Sequence, residues 1–95
     1  MLIFDKASWQ IDNGMPVKDV IKHFELIMKF LFDNSLFNDA GMELYELGVD
    51  QSISINENIL NSKGVEFMKN NYDKMISENG YDTVKNKAYL DLIKF

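Results

Sequence analysis

Apolar residues recur with the helical period over most of this chain. The clearest case follows Asn13-Gly14-Met15-Pro16, a turn phrase whose proline suits the first position of a helix, where a missing N–H costs nothing. Val17, Val20, Ile21, Phe24, Ile27, Met28 and Leu31 then fall at a spacing of 3.6, and Leu26, Phe30 and Phe32 widen the apolar side beyond one stripe. This predicts a central helix over 16–33, wrapped by the others, with Lys18, Lys22, Glu25, Lys29 and Asp33 on a narrow wet strip. Asn34-Ser35 ends it, and a short helix follows from Asn38 to Leu47, with Gly48 as its left-handed stop. A third long helix opens at Asn61 and carries Val65, Met68, Tyr72, Met75 and Ile76 inward until Glu78-Asn79-Gly80. In the tail, Val84, Ala88, Leu92 and Phe95 predict one face of a last helix, a face that Tyr89, Leu90 and Ile93 blur.

Two stretches break this period. Ser52-Ile53-Ser54-Ile55 alternates with a period of two, the pattern of a short strand, which needs a partner such as Leu2–Phe4. The first residues read two ways: Leu2-Ile3-Phe4 as that strand, or Asp5-Lys6-Ala7-Ser8-Trp9-Gln10 as a capped helical turn. The short helix is the favoured reading, with Phe4, Trp9 and Ile11 folded back onto the body and Trp9 in the core or at its edge. The expected architecture is mainly α: one domain over 1–95, a compact bundle of four to five helices around 16–33, with at most a minor two-stranded β element.

One phrase is written twice. Leu36-Phe37-Asn38-Asp39-Ala40-Gly41-Met42-Glu43 returns 23 positions later as Ile59-Leu60-Asn61-Ser62-Lys63-Gly64-Val65-Glu66. Asparagine ahead of an apolar-periodic run is a strong N-cap, because its side-chain oxygen accepts from an orphan N–H of the first turn. Two copies are too few for a solenoid, so the phrase reads as two helix starts of one design. The glycine either permits close approach of another backbone or is simply tolerated near a helix end, and the second is the safer reading.

Charge alters the picture more than composition does. An aromatic share of 13% and a hydrophobic share of 46% are ordinary for a folded chain. The net charge of −5, however, is concentrated: Asp39, Glu43, Glu46, Asp50 and Glu57 lie between Asn38 and Leu60 with no lysine or arginine among them. Residues 1–37 hold five acids and four bases, 61–80 three and three, and 81–95 two and three. Asp39, Glu43 and Glu46 share one helical face by spacing, with Met42 and Tyr45 together on another. Such a patch speeds association with a basic partner and suppresses other encounters, and Tyr45 beside it supplies an amphipathic anchor. The candidate partner-binding residues are therefore Asp39, Glu43, Tyr45, Glu46, Asp50 and Glu57.

The chain offers little catalytic chemistry. Without cysteine there is no disulfide framework, thiolate nucleophile or cysteine zinc site. The single histidine, His23, sits in mid-helix and reads as a helix-surface or core-edge residue. No serine lies in a Gly-x-Ser-x-Gly elbow, and no glycine loop fits phosphate. The carboxylates at Asp39, Glu43, Glu46 and Asp50 match no calcium-loop spacing, so neither a metal nor a cofactor is expected. The acidic balance argues against nucleic acid. There is no basic leader and no apolar run near the roughly 20 residues of a membrane span, and the expected compartment is the cytoplasm.

Trp9-Gln10-Ile11-Asp12-Asn13-Gly14-Met15-Pro16 leading to Val20-Ile21-Lys22-His23-Phe24, then Gly41-Met42-Glu43-Leu44-Tyr45-Glu46-Leu47-Gly48 and Leu60-Asn61-Ser62-Lys63-Gly64, resembles small bacterial immunity proteins encoded beside polymorphic or contact-dependent toxins. The resemblance covers about two thirds of the chain. It implies a non-enzymatic antidote that binds one cognate toxin with a basic surface, and it carries over no catalytic residues. Leu60-Asn61-Ser62-Lys63-Gly64 is also similar to the Leu-Thr-x-x-Gly phrase of helix-turn-helix and winged-helix modules, with asparagine for threonine. The candidate recognition helix Asn38–Leu47 lacks basic residues, which leaves a winged-helix-like scaffold for regulation or protein contact as the alternative.

Overall fold

The computed structural model describes residues 1–95. Strand β1 (Ile3–Lys6) runs directly into helix α1 (Ala7–Asp12), followed by α2 (Val17–Asp33) and α3 (Asp39–Leu47). Strand β2 (Ser54–Asn56), a single 3-10 turn (Glu57–Ile59), α4 (Ser62–Asn79) and α5 (Thr83–Asp91) complete it. The protein is thus mainly helical, with one small antiparallel sheet joining β1 to β2. Helix α2 is central: α1, α3 and α5 all pack on it. Its inward stripe is Val20, His23, Phe24, Ile27, Met28 and Leu31, all buried. No helix is long and apolar enough to cross a membrane.

The doubled phrase is a clasp. Leu36–Gly41 and Ile59–Gly64 face each other across an antiparallel bridge between Phe37 and Leu60, related by an approximate two-fold. Asn38 Oδ1 accepts from Gly41 N at 3.0 Å and Asn61 Oδ1 from Gly64 N at 2.9 Å, so each asparagine caps its own helix. Each also holds the other copy: Asn38 N donates to Ile59 O, and Asn61 N to Leu36 O. The side-chain amides repeat the symmetry, Asn38 Nδ2 reaching Asn58 O at 2.9 Å and Asn61 Nδ2 reaching Ser35 O at 2.7 Å. Gly41 and Gly64 complete it, because a Cβ at Gly41 would run into Ile59 O and one at Gly64 into Leu36 O. Close backbone approach, and not mere tolerance near a helix end, is therefore the reason for both glycines. The clasp fixes the N-termini of α3 and α4 together and so sets where α3 sits on the body.

At the N-terminus the strand and the helix are both present, one after the other: the favoured short helix forms, two residues later than expected at Ala7–Asp12, and the strand Ile3–Lys6 precedes it. Ile3 pairs with Asn56, but Asp5, not Phe4, pairs with Ile55: a bulge at Phe4 adds one residue to β1. Cross-strand partners share a face, so the bulge turns Asp5 to the inward side of the fully buried Ile55. Asp5 thus leaves the capping position and becomes a buried strand residue. Lys6 stands at the N-cap of α1 without a side-chain bond, and Trp9 is 44% exposed, outside the core where it was expected.

The face of α5 also differs from expectation. Val84, Ala88, Leu92 and Phe95 are exposed, whereas Asn86 and Leu90 are buried and Tyr89 is half-buried. Asn86 turns inward because its Nδ2 donates to Gly80 O at 3.0 Å, which closes the α4–α5 turn. Once Asn86 is inside, the residues one turn on, Tyr89 and Leu90, must follow it.

Candidate functional site

Helix α3 presents Asp39, Glu43 and Glu46 to solvent. Neither ion pair of the structure, Lys29–Asp33 near Tyr45 or Lys87–Asp91, includes these three carboxylates, which have no cation within ion-pair distance. Beside them Tyr45 is half-buried, its ring stacked on Phe32 with centroids 4.5 Å apart and planes inclined by 16°. Phe32 and Met42 are both more than a third exposed. Helix α3 therefore carries unpaired negative charge on one side and, next to it, an apolar band anchored on α2.

The other two predicted acids do different work. Asp50 Oδ1 accepts from Ser52 N at 2.8 Å and Ser52 Oγ at 2.6 Å, a local turn that precedes β2. These bonds hold its carboxyl below the usual range. Glu57 Oε1 accepts from Leu2 N at 2.8 Å and so ties the chain start to the end of β2. Both remain exposed, but each is partly committed to the fold. No three acidic or histidine side chains converge on a point that would hold a metal ion.

A second polar feature lies inside, with little trace in the linear pattern. Asp5 Oδ2 accepts from Tyr72 Oη at 2.6 Å and from Tyr81 Oη. Its Oδ1 accepts from Lys6 N at 2.8 Å and Gln10 Nε2 at 3.2 Å. Burial, together with the neighbouring carboxylate, pushes both tyrosines far above the usual phenol range, which keeps them hydrogen-bond donors. His23 Nε2 lies 2.7 Å from Tyr72 Oη. Since the Tyr72 proton points to Asp5, we assign the imidazole proton to Nε2, donating to Tyr72; His23 Nδ1 is then a buried acceptor with no partner. The expected surface histidine is in fact wholly buried, stacked on Tyr81 at a centroid distance of 3.8 Å. Its position in the inward stripe of α2, three residues after Val20 and four before Ile27, was the available signal.

Burial lowers the His23 pKa from 6.5 to about 4, against the opposing pull of Asp5. The unfolded imidazole takes up a proton near its ordinary pKa while the folded one does not. Stability from this group is therefore full above the unfolded pKa and is lost as pH falls toward the folded one. Urea unfolding is expected to show a loss of about 1.4 kcal/mol per pH unit between roughly pH 6 and pH 5. His23→Gln should flatten that slope, and an unchanged slope would show that the imidazole does not titrate in this way.

The same tyrosines and carboxylate border an open groove of about 560 Å³ between the β1–α1 segment and α4. Phe4, Trp9 and Asp73 also line it. No family model matches the chain, and no curated protein or solved structure matches it.

Proposed function

We propose that the chain is a non-enzymatic, cytoplasmic binding protein that engages a basic protein partner through the outer face of α3, as an immunity protein would neutralise its toxin. The observation that carries this reading is that one short helix carries three exposed carboxylates without intramolecular cations and, on its adjoining side, the half-open Phe32–Tyr45 stack. Free carboxylates beside a cation of the same chain would be self-satisfied; here they are left for another molecule. Aromatic anchors ringed by charge are what a specific interface requires, with the charges steering the encounter and the rings supplying buried area. Asp39, Glu43, Glu46 and Tyr45 make the core of the proposed surface, and Asp50 and Glu57 contribute only to its field.

The test is calorimetric titration with a toxin-like C-terminal domain, if a neighbouring gene encodes one; a neighbourhood without such a gene would itself count against the toxin as partner. Glu43→Lys with Glu46→Lys should weaken binding by about 100-fold or more without loss of the helical circular-dichroism signal. Unchanged affinity in a folded double variant would rule out the acidic face.

A further inference from the structure

Asp5 is only 4% exposed and carries its charge without a cation: four donors saturate its oxygens, yet neither ion pair of the structure includes it. Buried carboxylates ordinarily have a counter-charge, because hydrogen bonds from neutral groups leave the net charge in place. The field of this one escapes through the groove it borders. Asp73, at the rim, adds a second negative group, and no lysine, arginine or histidine lines the groove. Four aromatic residues, Phe4, Trp9, Tyr72 and Tyr81, share the rest of the lining with aliphatic and neutral polar groups. Tyr81 donates its proton to Asp5, and that bond makes the oxygen of this half-buried, groove-lining phenol more electron-rich. The Trp9 ring already receives a cation from the chain itself, Lys6 Nζ lying 5.6 Å from its centroid.

From this we infer that the groove is a binding site for a small organic cation, an ammonium or guanidinium group carried on an apolar body. Charge complementarity selects the cation, and the aromatic rim selects an organic one over a hydrated metal ion, since ring faces attract cations that shed water easily. The volume falls within the roughly 300–1,000 Å³ of small-molecule sites, which favours a free ligand over a protein side chain. The site is separate from the acidic face of α3 and stands or falls independently of it.

Phenethylammonium is a suitable probe, with 3-phenylpropionate as its counterpart of similar shape and opposite charge. Trp9 is the only tryptophan, so its indole N–H reports directly in amide and indole NMR spectra. The ammonium should shift the Trp9 indole and the backbone amides of Gln10 and Ser77 with a Kd on the order of 1 mM or tighter, and the carboxylate should not. Trp9→Leu, at an exposed position, should weaken binding at least about 3-fold, read on Gln10 and Ser77. Asp5→Asn, provided that it folds, should weaken it about 10-fold. Equal shifts from both probes, no shifts with either, unchanged binding in Trp9→Leu, or ammonium shifts centred on α3 would each overturn the assignment.

Discussion

Gly64→Ala is expected to lower the unfolding free energy by about 3 kcal/mol, and Gly41→Ala by a similar amount. Alanine is ordinarily the better helix former, and inside a free helix the change would add up to about 1 kcal/mol of stability. Here the sign reverses, because the added methyl meets a backbone carbonyl of the other half of the clasp, Leu36 O or Ile59 O, and not the end of a flexible side chain. Relief requires the two copies to separate, which lengthens the Asn38–Ile59 and Asn61–Leu36 bonds together. Once one glycine has been replaced the clasp is already open, so the double variant should lose clearly less than the sum. Chemical denaturation reads this as a fall in midpoint at constant slope. A neutral or stabilising effect of either alanine would mean that the close approach does not exist.

Asp5→Ala should be at least as damaging, at about 4 kcal/mol, or a drop in melting temperature of at least about 15 °C. The substitution removes one acceptor site and strands four donors: Tyr72 Oη, Tyr81 Oη, Gln10 Nε2 and Lys6 N. A buried donor without an acceptor costs about 1–3 kcal/mol. Tyr81 and Gln10 are half-buried and can recover bonds to water along the groove, whereas Tyr72 cannot. Tyr72→Phe should be milder alone, about 2 kcal/mol. It should cost less still in the Asp5→Ala background, where its hydroxyl has lost the carboxylate and keeps only His23 Nε2 as a neighbour; additive losses in thermal melts would show that the two do not form one network.

These two features mark what a linear reading shows and what it hides. The central helix was visible because seven apolar residues keep one period from Val17 to Leu31, and no other element competes for them. The helix starts were visible because an asparagine cap is a local device, legible without knowing the partner. The reciprocal use of Asn38 and Asn61 was not, since the carbonyls their amides reach lie 20 and 26 residues away in sequence. Asp5 was hidden by the bulge: a regular register would have placed Phe4 opposite Ile55 and sent the aspartate elsewhere. His23 and Asn86 were hidden by their polarity. Each occupies an inward position that helical geometry dictates, and each is admitted by one hydrogen bond, to Tyr72 and to Gly80 O. Of the proposed surface, the charge was plain in the sequence. The Phe32–Tyr45 stack joins two helices and appears only when α3 is laid against α2.

The most direct test of the proposed surface is the footprint of the partner on the chain. Amide NMR spectra recorded across a titration with a cognate toxin domain, the partner this proposal requires, should show the largest changes over Asp39–Leu47 and around Phe32, fading at high ionic strength. A footprint that leaves α3 untouched, whatever the affinity, would contradict the account.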